Sequence, residues 1–137
     1  MSLALKEGYQ ITKKDSILFV DVENIFTGEI AKQYHQDMMQ ITEEMKHQPW
    51  ASLIIYHGNG VFTPDAEEQI VDITKFRVKN NMVANATVFL QSAQADLQQI
   101  QLSRIYHGCN LPFYVFSDVK SAKNWLEDFL EKQAKVV

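Results

Sequence analysis

The stretch Leu53-Ile54-Ile55-Tyr56-His57-Gly58-Asn59-Gly60-Val61-Phe62-Thr63-Pro64-Asp65 constrains the fold more than any other part of this chain. It begins as an unbroken apolar run, the pattern of a strand covered on both faces, as strands of parallel sheets are. Gly58 and Gly60 then loosen the backbone by permitting positive φ. Thr63-Pro64-Asp65 has the order that opens a helix: a hydroxyl at the cap, proline at the first helical position, acids in the first turn. Strand, loop and helix in that order form the repeating unit of an open α/β sheet. In such sheets ligands and regulatory groups gather beyond the carboxyl ends of the strands.

The rest of the chain repeats the pattern. Tyr9 to Thr12 and the apolar run Ile17 to Val22 read as two strands joined by the polar turn Lys13-Lys14-Asp15-Ser16. A connection that short requires an antiparallel hairpin, because a parallel pair needs a crossover of a dozen or more residues. A helix follows from about Thr27 to Lys46, with Ile30, Tyr34, Met38, Ile41 and Met45 three or four apart on one stripe. Pro49 marks its end, and Trp50 to Tyr56 is the next strand. The helix opened by Thr63 runs to about Asn80, where Asn80-Asn81 breaks the pattern. Ala84 to Leu90 is a strand, and Ala95 to His107 a helix with Gly108 suited to the left-handed position beyond it. Leu111 to Phe116 is the last strand. Ser117 or Asp118 caps a final helix that buries Val119, Ala122, Trp125, Leu126, Phe129 and Leu130.

The expected order is therefore ββαβαβαβα. It specifies an α/β fold with a single mixed sheet of about five strands, an antiparallel edge hairpin followed by right-handed βαβ units, and four helices. One domain spans residues 9–133 after a flexible N-terminus of residues 1–8. At 137 residues, 46% hydrophobic and 22% charged, the chain has enough apolar material for one core. Its longest apolar run, Ile17 to Val20, is far short of the roughly 20 residues of a membrane helix, and the first residues lack a signal-peptide core. The formal charge of −4 gives no long-range attraction to nucleic acid or anionic membranes. A single cysteine, Cys109, excludes an internal disulfide framework and fits a reducing cytoplasm.

This order and size resemble the STAS-like fold of anti-sigma-factor antagonists, and in particular the SpoIIAA-like family of small bacterial proteins. The strongest motif match is Phe116-Ser117-Asp118-Val119-Lys120-Ser121-Ala122-Lys123-Asn124-Trp125-Leu126, a strand ending in Phe, a polar turn and a helix with Ala-x-x-Trp-Leu. The resemblance covers residues 9–130. It implies a regulatory module that acts by binding another protein, without catalysis, cofactor or metal. Self-association into a homodimer through an edge strand or helix face is a further expectation.

The resemblance also implies a phosphorylatable serine near the start of the helix after the Tyr56 strand. Here the matching stretch is Phe62-Thr63-Pro64-Asp65-Ala66-Glu67, with no serine. Thr63 is the nearest regulatory hydroxyl. As a helix cap it would contribute about 1 kcal/mol, and Asp65, Glu67 and Glu68 would repel an added phosphate; capping is the favoured role. The expected binding surface comprises His57, Asn59, Thr63 and Asp65, with the neighbouring segment Glu23 to Thr27. His57 has the chemistry of an acid, a base or a metal ligand and reads as a solvated loop residue without a sequence-adjacent second ligand.

Two other classes compete. Asp21 and Glu23, at a strand end in Phe19-Val20-Asp21-Val22-Glu23-Asn24, resemble the opening of NYN and PIN-type metal-dependent nucleases, where carboxylates hold a hard cation. Matching acids are missing after the later strands. A binder of a small hydrophobic molecule or lipid is the third class, and requires an apolar cavity of a few hundred Å³. Cys109 with His107 could pair as nucleophile and base, but a lone cysteine reads first as a small buried hydrophobe. Met38, Met39 and Met45 read as core residues.

Overall fold

The computed structural model describes residues 8–23, 27–58 and 60–135. Strands β1 (Tyr9–Lys14) and β2 (Ile17–Glu23) form the expected hairpin, and helix α1 (Gly28–Met45), strand β3 (Trp50–His57), helix α2 (Pro64–Lys79), strand β4 (Met82–Leu90), helix α3 (Ala95–Gly108), strand β5 (Phe113–Phe116) and helix α4 (Val119–Lys135) follow. The five strands lie side by side in chain order, β1-β2-β3-β4-β5. Only β1 runs antiparallel, with Tyr9 opposite Val22 and Lys14 opposite Ile17. The other pairs are parallel, with Val20 beside Ile54, Ile54 beside Thr87, and Thr87 beside Val115. The expected α/β architecture, one mixed sheet with four helices, is the observed one.

Strand order follows from the connections. Each βαβ crossover is right-handed as a rule, and every crossover steps the same way, so α1, α2 and α3 stack on one face. That face holds the larger core, in which Leu18, Val20, Trp50, Ile54, Tyr56 and Ile73 are among the buried residues. Because side chains alternate along a strand, Ile17, Ala51, Leu53, Ile55, Ala84, Ala86 and Val88 point to the opposite face. There α4 covers them with Ala122 and Leu126, both fully buried, while Trp125 and Phe129 pack at the margin. The unbroken apolar runs of β3 and β4 are thus explained by helices on both sides.

Local signals account for most boundaries. Thr27 caps α1, its hydroxyl accepting from the Ile30 amide at 3.3 Å. Asp118 caps α4, accepting from the Ser121 amide at 2.7 Å, which decides between the two residues the sequence offered. Gly108 departs from expectation: it is the last residue of α3, and the left-handed residue after that helix is Asn110, with φ 54°. Asparagine is one of the few residues besides glycine that visit that conformation, because its short side chain can hydrogen-bond locally. Of the segment expected to be a flexible N-terminus, residues 1–7 lie outside the described residues. Gly8 is anchored, its carbonyl accepting from the Glu23 amide at 2.9 Å.

Candidate functional site

The carboxyl ends of the parallel strands bring together residues far apart in sequence. Asp21 and His57 stand on neighbouring strands, on the face shared by Phe19 and Ile55. His57 Nε2 lies 2.8 Å from Asp21 Oδ1, with the two side chains 37% and 38% exposed. Glu23, next outward on that face, is the register partner of His57. His57 is the final residue of β3 rather than a loop residue, and it is hydrogen-bonded rather than simply solvated. The chain leaves the strand at Gly58, whose φ of 79° needs glycine and whose amide donates to the Leu90 carbonyl at 2.9 Å. Asn59 lies outside the described residues, as do residues 24–26 of the expected second loop.

Thr63 and Asp65 form a separate group on the helical side. Thr63 occupies the cap position of α2 with an extended backbone, but its hydroxyl makes no capping bond. It donates instead to Asp65 Oδ1 at 2.6 Å. The expected capping contact is therefore replaced by a hydroxyl–carboxylate bond two residues long. Asp65 also reaches α1: a Cβ at Gly28 would collide with its carboxylate, so glycine at the start of α1 permits the close approach of the two helix N-termini. Gln69 reinforces the junction by donating to the Gly28 carbonyl at 3.1 Å.

The Thr63 hydroxyl, and then the Asp65 and Ala66 amides, hold the Asp65 carboxyl below the usual carboxylate range. A depressed folded-state pKa stabilises only while the group is ionised. The contribution is fully present above the ordinary carboxylate pKa of about 4 and is lost as pH falls through the lower folded value. The gap in thermal midpoint between wild type and Asp65→Asn is expected to narrow steadily as pH is lowered from 5 to 2.5. A gap that widens on acidification would overturn the assignment.

The loop itself is strapped to α3 by two glutamines that sequence reasoning missed. Gln101 pairs with the Phe62 backbone as a strand neighbour would, accepting from its amide and donating to its carbonyl, both at 3.1 Å. Gln98 is buried and donates to the Gly60 carbonyl, while its side-chain oxygen accepts from Ser92 at 2.7 Å. A signal was present. Gln98, Leu102 and Ile105 recur at helical spacing, and an amide on an otherwise apolar stripe calls for a specific partner. On the outer side of α3, Leu97 and Ile100 are exposed, three residues apart.

The remaining candidates sit elsewhere. Burial holds the Cys109 thiol above its ordinary range, the opposite of what a nucleophile requires. Met38 and Met45 are buried in the helical-face core, whereas Met39 is exposed. Two cavities within the helical face measure about 10 Å³ each. Among the described residues no three His, Cys, Asp or Glu side chains are grouped to hold one metal ion, and no helix is long and apolar enough to cross a membrane. No protein-family model, curated protein or solved structure matches the chain.

Proposed function

We propose that this domain is a binding or regulatory module of the SpoIIAA-like, STAS type, which recognises a partner protein with the carboxyl edge of its sheet. The observation that carries this reading is the mutual engagement of the site's polar groups. His57 is held by Asp21, Thr63 by Asp65, and the loop backbone by Gln98 and Gln101. Such an arrangement fixes a shape, as a recognition surface requires, and among the described residues it does not gather three side chains able to hold a metal ion. Exposed Leu97 and Ile100 on the strapping helix add apolar contact of the kind found at the centre of interfaces. The chain-order strand arrangement supports the STAS-type comparison.

The alternatives fare less well on the same geometry. A nuclease using Asp21 and Glu23 needs a further metal ligand, and among the described residues no three such side chains are grouped. A lipid binder needs an apolar cavity of roughly 300 Å³ or more that surrounds its ligand; the two in the helical face are about 10 Å³ each, and the larger space of about 580 Å³ is an open depression on α3 lined by Asp96, Gln99, Ile100, Ser103, Arg104 and His107. The test is to isolate the partner from the source cell, then measure its affinity for wild type and for the triple variant His57→Ala, Asn59→Ala, Thr63→Ala. The expected loss is tenfold or more, about 1.4 kcal/mol. Unchanged affinity for every partner found would remove the proposed surface.

A further inference from the structure

The interior of the helical face holds an arginine that the carboxyl-edge site does not use. Arg77 occupies the last turn of α2, where a basic side chain ordinarily reaches outward and complements the helix dipole. Here it continues the buried stripe Ile70, Ile73 and Thr74, and is 1% exposed. Its side chain points back along the helix into a cavity of about 10 Å³, lined also by Tyr34, Tyr56, Tyr106, Phe62 and Ile70. The guanidinium hydrogen-bonds the Tyr106 hydroxyl, whereas Nε and Nη1 are buried and have no hydrogen-bond partner. Among the described residues no carboxylate pairs with it.

This is an unusual combination. A guanidinium does not lose its proton in proteins, so burial cannot neutralise it as it can a lysine. Buried charges are otherwise paired, because removing one from water without a counter-charge is strongly unfavourable. The surrounding tyrosines cannot supply that charge: burial raises Tyr34, Tyr56 and Tyr106, which stay neutral and offer O–H donors. What the site lacks is therefore a negative charge, and what it presents is N–H donors around a space for a single water-sized body. A water molecule would occupy the donors and leave the charge unbalanced. A carboxylate-bearing ligand is too large unless Phe62 moves. A monatomic anion, somewhat larger than water, is the smallest body that supplies the charge.

We propose that Arg77 holds a halide-sized anion, chloride under ordinary conditions, in the cavity lined by α1, α2, α3, β2 and β3. Phe62 is a wall of that cavity and also the residue that Gln101 clamps, so occupancy supports the strapped loop from beneath.

The experiment measures thermal unfolding of the whole chain at constant ionic strength as sodium gluconate is replaced by sodium chloride or bromide. Wild type is expected to gain about 5 °C in midpoint for each tenfold rise in halide above its Kd, and Arg77→Met to show no such rise. Crystals of wild type grown in bromide are expected to show anomalous scattering density beside the Arg77 guanidinium, a result independent of whether Arg77→Met folds. Equal wild-type midpoints in gluconate and halide overturn the proposal. So does bromide found only at surface lysines, density consistent with water alone beside Arg77, or a halide response that survives in Arg77→Met.

Discussion

Trp50→Ala is expected to lower the free energy of unfolding by about 4 kcal/mol, within the range for deleting a fully buried large aromatic side chain. Trp50 is 0% exposed and opens β3 within the helical-face core. Its indole Nε1 donates to the Asn80 carbonyl at 2.7 Å, and its own amide donates to the Asn81 carbonyl at 2.9 Å. The side chain thus fills the core and pins the turn that leads from α2 into β4. Alanine would leave both a cavity and an unpaired carbonyl, and the two costs add. Trp50→Phe separates them: the ring volume is largely kept, and the lost indole bond should cost about 1–2 kcal/mol. Urea unfolding followed by circular dichroism measures both. A loss below 1.5 kcal/mol for Trp50→Ala would mean that the residue does not seal the core as described.

The second large effect concerns the loop. Replacing Gln98 and Gln101 together with alanine is expected to speed hydrogen exchange at the Phe62 amide by about 10–100-fold, the equivalent of about 1.4–2.8 kcal/mol of local opening. Gln101 bonds both backbone groups of Phe62, and Gln98 bonds the Gly60 carbonyl, so the double variant removes the strap while leaving the strands intact. Exchange in the middle of β3 should change far less. Under the proposed function, partner affinity should fall along with the protection at Phe62, because a loosened loop must be reordered on binding. Protection that persisted in the double variant would show that packing of Phe62, not the glutamines, holds the loop.

Much of the architecture was legible in the sequence because it depends on local and periodic signals. The apolar runs of β2 and β3, the stripe from Ile30 to Met45 and the short polar turn at Asp15 each specify their element with little help from the rest of the chain. The final helix was readable for the same reason, from Ala122 and Leu126 at helical spacing and from Asp118 beside its first turn. Thr63 shows where this reasoning stops. Its position as a cap was legible, but the partner of its hydroxyl was decided by competition between an amide and the Asp65 carboxylate, which only geometry resolves. The Asp21–His57 pair depended on register between two strands separated by a whole helix. Gln98 and Arg77 were visible as polar residues on apolar stripes, yet each had an ordinary explanation, a solvated helix face and a helix-terminal cation. Long-range pairing is what the sequence pattern does not carry.

The division of the sheet between three helices on one face and one on the other has a consequence for how the protein is made. Residues 9–116 contain the five described strands and the described residues of the helical-face core, so packing of that face can begin before α4 exists. The other face stays bare during that time. Leu53, Ile55, Ala86 and Val88 have no cover until Ala122 and Leu126 have emerged and α4 has formed. A nascent chain at that stage is a half-finished sandwich, with one finished side and one adhesive side. Docking of α4 is therefore the step that closes the second face of the sheet.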